Sequence, residues 1–225
     1  MRGMLLTVNV ALLMVAAISV WAQERKPVEP AALVLNVPWV GQAPKIDGKP
    51  DDAIWQFAPK GGDFYVYKTA ARPREQTEFQ VCYDTEALYL LVTCHESQMA
   101  GLKTQTNQEM RDMTGVFSDD SLEVFIAPQD ARGTPYFQLV TSARGIRWDG
   151  GWSTAGLGAA WNGAWEVQTW HGAEAWYAEF KVPHRILVSP GEFVHSPRPG
   201  DRWTFMVCRN QARLREQSAW SFLNT

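Results

Sequence analysis

The chain has 225 residues, with Lys+Arg 21 against Asp+Glu 24 and a formal net charge of −3. No Lys/Arg run exists to neutralise phosphate, which excludes the usual kind of nucleic-acid binder; 46% apolar and 12% aromatic residues exclude a disordered chain. One domain is expected at this length, and 11 Trp beside 17 Gly and 13 Pro point to short strands, frequent turns and aromatic platforms.

The first segment is a separate object. Arg2 is the only charge before Glu24, an apolar run extends to Val20, and Val20-Trp21-Ala22 supplies small residues for a peptidase. Residues 1–22 therefore read as a secretory signal peptide cleaved before Gln23. A secreted or periplasmic protein follows, with no membrane contact after cleavage. Residues 23–37, with Pro27 and Pro30 among charges, read as a flexible tail, and 38–225 as one folded domain.

Within that domain Asp51–Ala58 suggests a turn or two of helix with Asp51 as N-cap. Period-2 segments then dominate. Gln76–Tyr83 and Leu88–His95 predict a hairpin across Asp84-Thr85-Glu86. Ser121–Ala127 puts Leu122, Val124 and Ile126 on one face and Ser121, Glu123 and Phe125 on the other. Pro135–Thr141, Trp165–Trp170, Trp176–Val182 and Trp203–Arg209 have the same character, and Pro183–Leu187 suggests a short helix begun by proline. Gly145–Gly163, with Trp148, Trp152 and Trp161, reads as a long loop over a sheet edge or face. Many short strands between turns predict an all-β, two-sheet antiparallel sandwich.

Three cysteines are too few for a disulfide scaffold. In the predicted hairpin Cys82 opposes a residue near Tyr89, which leaves Cys94 roughly 17 Å off register, so buried thiols are expected. No HExxH, GxSxG, Walker or dinucleotide motif occurs. Asp120 and Glu123 are three apart on a strand and point to opposite faces, so they cannot flank one glycosidic bond; no catalytic residue is expected. Sugars instead need aromatic rings for their C–H faces and amides or carboxylates for their hydroxyls. Phe117, Glu123, Phe125, Gln138 and the tryptophans of the Gly-rich stretch offer both. Asp47, Asp51, Asp52 and Asp84 read as turn caps, and Arg111-Asp112 as a surface ion pair.

Ile46-Asp47-Gly48-Lys49-Pro50-Asp51-Asp52-Ala53-Ile54-Trp55 resembles the opening motif of family 9 carbohydrate-binding modules, which are attached to some xylanases. Val81–Asp84 with Ala87–Leu90, Phe117–Ile126, Trp176–Pro183, Gly200–Arg209 and Ser218–Ser221 resemble their later strands in the right order. The resemblance implies a jelly-roll or DOMON-like sandwich that binds sugars without catalysis, often with structural calcium, as an accessory to glycoside hydrolases. It implies that Phe117, six residues before Glu123, stands on a platform and stacks on the sugar. Glu123 would accept hydroxyl protons, and Gln138 would assist where an arginine can occur. It also implies that the chain ends at Thr225 before a second stacking ring and the closing strand. Two other readings stand beside it. One is non-covalent haem binding, as in some DOMON-like relatives, with Met99, Met110, Met113 and His95 as candidate ligands. The other is an envelope domain whose open sheet edge docks a partner.

Overall fold

A computed structural model describes residues 33–128, 136–152, 158, 161–188 and 196–221. The expected signal peptide, the tail up to residue 32 and the final four residues lie outside these.

Eleven strands build two antiparallel sheets among the described residues. They are β1 (Lys60–Gly61), β2 (Tyr65–Val66), β3 (Thr77–Tyr83), β4 (Ala87–His95), β5 (Ser121–Ala127), β6 (Tyr136–Ser142), β7 (Arg147–Trp152), β8 (Glu166–His171), β9 (Ala175–Pro183), β10 (Thr204–Gln211) and β11 (Glu216–Ala219). The five-stranded sheet runs β1-β3-β4-β9-β8 and the six-stranded sheet runs β2-β11-β10-β5-β6-β7. The all-β sandwich expected from the sequence is the observed fold.

The main core lies between the sheets. Leu90, Val92, Trp176 and Phe180 of the first sheet meet Leu122, Val124, Ile126, Leu139 and Val207 of the second, all buried. Strand β5 turns its even residues inward because only that face is apolar, as its alternation dictates. Strand β4 is different. Its continuous run Ala87-Leu88-Tyr89-Leu90-Leu91-Val92 is buried on both faces, the pattern of a strand covered from either side.

The second cover comes from the N-terminal part of the domain. Val40, Trp55 and Ala58 pack with Cys82, Tyr89 and Leu91 on the outer face of the five-stranded sheet. One carboxylate holds this cover down. Glu179 Oε2 accepts the backbone N–H groups of Asp47 at 3.0 Å and Gly48 at 2.8 Å, and Oε1 accepts the Trp55 indole N–H at 2.8 Å. Gly48 has φ +85°, and a Cβ there would lie 2.7 Å from the Thr169 backbone, so the tight approach needs glycine. Gln80 Nε2 donates to the carbonyls of Trp55 and Ala58 at 2.5 and 2.7 Å.

A second clasp joins the sheets at one end. Glu96, just beyond β4, is fully buried. It accepts from Gln211 Nε2 at 2.9 Å and Arg213 Nη2 at 2.5 Å. Arg209 Nη2 lies 3.6 Å from the same carboxylate, within ion-pair range, while its Nη1 donates to the His95 carbonyl at 2.8 Å.

Two local expectations are refined. The Asp51–Ala58 helix is a 3-10 turn over Ala53–Gln56 with Asp52 at its N-cap position, and Asp52 spends its carboxylate on the Lys45 N–H. The helix after β9 is a 3-10 turn over His184–Ile186, with Pro183 before its first residue. Cys82 does sit opposite Tyr89, and all three cysteines are free thiols. Cys94 is sealed in the main core, where burial pushes its thiol up to about 12.

Candidate functional site

The outer face of the six-stranded sheet is where the candidate residues converge. Because Leu122, Val124 and Ile126 fill the core, Glu123 and Phe125 must project the other way. Register then fixes their neighbours. Glu123 lies between Cys208 on β10 and Val140 on β6, and Val140 pairs with Trp148 on β7. One rank further along, Phe125 pairs with Gln138, which pairs with Gly150. The next rank holds Tyr136 opposite Trp152.

Glu123 and Gln138 are thus diagonal neighbours, and Gln138 Nε2 donates to Glu123 Oε2 at 2.5 Å. Both are half-buried. Burial among Val140, Phe125 and Cys208 pushes the Glu123 carboxyl above its usual range, with the Gln138 hydrogen bond pulling the other way. Among the described residues Gln138 is the hydrogen-bonding partner of this carboxylate, which leaves Oε1 as a free acceptor toward the face.

Phe117 reaches the same face from a short 3-10 helix, Thr114–Ser118. Asn210 of β10 pins that helix, donating from Nδ2 to the carbonyls of Phe117 and Asp119 at 2.8 Å each. The ring is half-buried rather than free-standing, and it meets Trp148 edge-on at 5.1 Å. Phe117, Val140, Trp148 and Val116 form a small apolar cluster beside Glu123, joined by Trp152. All three site residues expected from sequence therefore gather on one face.

Three further rings stand beside them, two of them tryptophans of the Gly-rich stretch and the third, Tyr136, not expected from the sequence. Trp148, Trp152 and Tyr136 surround the Gln138–Gly150 rank, with Tyr136 and Trp152 stacked at 5.0 Å and 17°. The Gly-rich stretch expected to be a loop contains β7, and this corrects the sequence reading. Its Gly150 makes room for two indoles: a Cβ there would lie 2.9 Å from the Cη2 atoms of both Trp148 and Trp152, so a ring would have to shift. Trp161 faces the other way and packs on Phe137 at 4.9 Å, beside the main core. Two tryptophans bracketing a Gly-Gly pair were the available signal.

The acidic residues beside this face and in the β3–β4 turn hold backbone N–H groups. Asp120 Oδ2 accepts from the Lys103 N–H at 2.7 Å, and Asp119 accepts from Gln105 N at 2.8 Å and Thr106 N at 3.0 Å. Asp84 accepts from the N–H groups of Glu86 and Ala87. No group of three or more His, Cys, Asp or Glu is placed to hold a metal among the described residues. The haem candidates are spread over different elements: His95 is exposed at the end of β4, Met99 packs against the main core, and Met113 is exposed. Arg111 pairs with Asp112 at 3.4 Å on the surface.

The profile of the family described as carbohydrate family 9 binding domain-like matches residues 46–220. No curated protein matches the chain. Among solved structures, a family 9 carbohydrate-binding module from Caldicellulosiruptor kristjanssonii in complex with glucose is 16% identical. It aligns over 84% of this chain and 86% of its own, with TM-score 0.56. The same module with cellotriose is 17% identical over 85% of each chain, also at TM-score 0.56. A proposed carbohydrate-binding protein from Bacteroides uniformis is 12% identical at TM-score 0.60, over 84% of this chain and 89% of its own.

Proposed function

The chain belongs to the carbohydrate family 9 binding domain-like family, and on that premise we propose that it is a non-catalytic carbohydrate-binding domain whose ligand lies on the outer face of the six-stranded sheet. One observation carries the reading. A carboxylate with a free acceptor oxygen and an amide stand together on that face among aromatic rings that range from the buried Trp148 to the exposed Tyr136. Glu123 Oε1 accepts a hydroxyl proton, Gln138 fixes the carboxylate and offers its own amide oxygen, and Phe117, backed by the buried Trp148, supplies apolar contact for the sugar's C–H face. The relatives seen with glucose and cellotriose support this ligand class.

The domain is exported on its N-terminal signal and assists glycoside hydrolases by holding them near plant or microbial polysaccharide. The arrangement suits holding rather than cleaving, since the outer face gives Glu123 no second carboxylate partner among the described residues. Calorimetry against a panel of mono- and oligosaccharides tests the reading, with Glu123→Gln as the control. Binding that Glu123→Gln abolishes or weakens is expected; failure of every sugar to bind would sink it.

A further inference from the structure

A polar cleft of about 280 Å³ opens on the long side of the sandwich, where β7 and β8 are the last strands of their sheets among the described residues. Gln108, Arg111, Arg147, Glu166 and Gln168 line it. At the low end of ligand-cavity volumes, it has room for one small molecule. Trp148 belongs to the Phe117 cluster on the outer face, so Arg147, one residue earlier on β7, projects the other way. Its guanidinium lies 5.1 Å from the Trp165 ring, and Nη1 donates to the Trp165 carbonyl. Arg111 is brought beside it because the Asp112 N–H donates to the Arg147 carbonyl at 2.9 Å. Arg111 Nε lies 3.4 Å from the Asp112 carboxylate, and Nη2 lies 3.5 Å from Asn162 Oδ1. Among the described residues Arg147 Nε and Nη2 and Arg111 Nη1 have no hydrogen-bond partner. Two positive charges therefore share one cleft with donors to spare. Burial and then the Arg111 charge press the Arg147 guanidinium below its usual range, against the pull of Asp149, Asp112 and Glu166. Asp149 is committed to the Trp165 indole N–H at 2.6 Å and the Gly163 N–H at 3.4 Å, Asp112 is paired with Arg111, and Glu166 is exposed to water. An arginine does not relieve such repulsion by losing its proton; an anion between the two guanidiniums does.

We propose that this cleft binds a sugar acid, a pyranose that carries a carboxylate. The Arg111 and Arg147 guanidiniums take the carboxylate, because planar forks match its two oxygens. The Gln108 and Gln168 amides take the hydroxyls. A bare sulfate or phosphate would engage the guanidiniums and leave both amides idle. Glu166 opposes the anion and keeps the cleft from being a purely cationic patch. The site lies on the other side of β7 from Glu123 and does not depend on a sugar being bound there.

Calorimetry of the full chain at low salt with glucuronate, galacturonate, glucose and sulfate tests this, alongside Arg111→Gln, Glu166→Gln and Glu123→Gln. One uronate should bind about tenfold or more tightly than either glucose or sulfate. Arg111→Gln should weaken it roughly ten- to a hundredfold with the melting temperature unchanged, since a surface ion pair adds little to stability. Glu166→Gln should tighten it, and Glu123→Gln should leave it unchanged. If Arg111→Gln does not fold, Arg147→Lys, which keeps the charge and loses the fork, carries the test with the same expected loss. Failure of both uronates to bind, or binding no tighter than glucose, overturns the proposal. Sulfate bound as tightly as the uronate overturns it too, because the amides would then contribute nothing. Uronate affinity lost in Glu123→Gln and kept in Arg111→Gln places the carboxylate on the outer face and overturns it as well.

Discussion

Glu123 holds an ionisable group where water is scarce, and that has opposite consequences for stability and for binding. Its carboxyl is raised by burial, from about 4.3 in an unfolded chain. The protonated form is the one favoured by folding. Its contribution to stability is therefore fully present below the unfolded value and is lost as pH rises through the folded one. Glu123→Gln removes that dependence. Thermal melts from about pH 4 to pH 8 should show the variant gaining on the wild type across that window; parallel curves would show that the carboxylate is well solvated. Sugar affinity should move the other way and fall roughly ten- to a hundredfold in the variant, since hydrogen bonds to charged groups are worth about 1.5–3 kcal/mol. At this scale the sequence was a good guide. The alternation of Ser121–Ala127 put Glu123 on the solvent side, where it is found. The Gln138–Glu123 contact was not legible, because it depends on the diagonal register of two strands that a single chain segment does not encode.

Strand β7 owes its shape to Gly150. Two indoles meet over a residue with no side chain, and each lies 2.9 Å from the position a methyl group would take there. Gly150→Ala should force the rings apart and cost about 1–3 kcal/mol, the usual penalty of overpacking. Loss of the near-ultraviolet circular dichroism signal of these rings, with far-ultraviolet signal retained, would accompany it; an unchanged spectrum and melting temperature would refute the steric conflict. The same strand explains where sequence reading stopped. Its Gly-Gly pair and its lack of alternation resemble a loop, and only the facing β6 makes it a strand. Strands β1 and β2 have two residues each, too short for any period to show. Strand β11, Glu216-Gln217-Ser218-Ala219, has no apolar alternation and is recruited by pairing with β10. By contrast β3, β4, β9 and β10 bury enough branched and aromatic side chains for their pattern to be self-evident.

Across the whole molecule, two buried carboxylates connect parts that are distant in sequence. Glu96 ties β4 to β10. Burial alone would raise its carboxyl, but donors from Gln211, the Gln98 N–H and Arg213 together hold it below the usual range. Its stabilising contribution is present above the unfolded value and is lost as pH falls through the folded one. Glu96→Gln should leave the buried Arg209 with only Asp120 to offset its charge and cost about 3–5 kcal/mol by urea denaturation; a loss under about 0.5 kcal/mol would show that the pair is dispensable. Glu179→Gln should loosen the N-terminal cover, since one of the two acceptor oxygens becomes an NH₂ that meets either the Trp55 indole N–H or the Asp47 and Gly48 N–H groups. A cost of about 2–3 kcal/mol and faster hydrogen exchange confined to residues 40–58 are expected, and uniform exchange across both sheets would contradict a local clasp. This clasp also sets a schedule. Asp47 and Gly48 are separated from Glu179 by 132 and 131 residues, so the clasp on the earliest-made part of the domain cannot close until β9 has been synthesised. At about 5–20 residues per second that wait is on the order of ten seconds. Throughout it the side chains of Val40, Trp55 and Ala58 have only the β3–β4 hairpin to cover, without the carboxylate that holds them down, and a nascent chain stalled before Glu179 is a form open to chaperones and proteases.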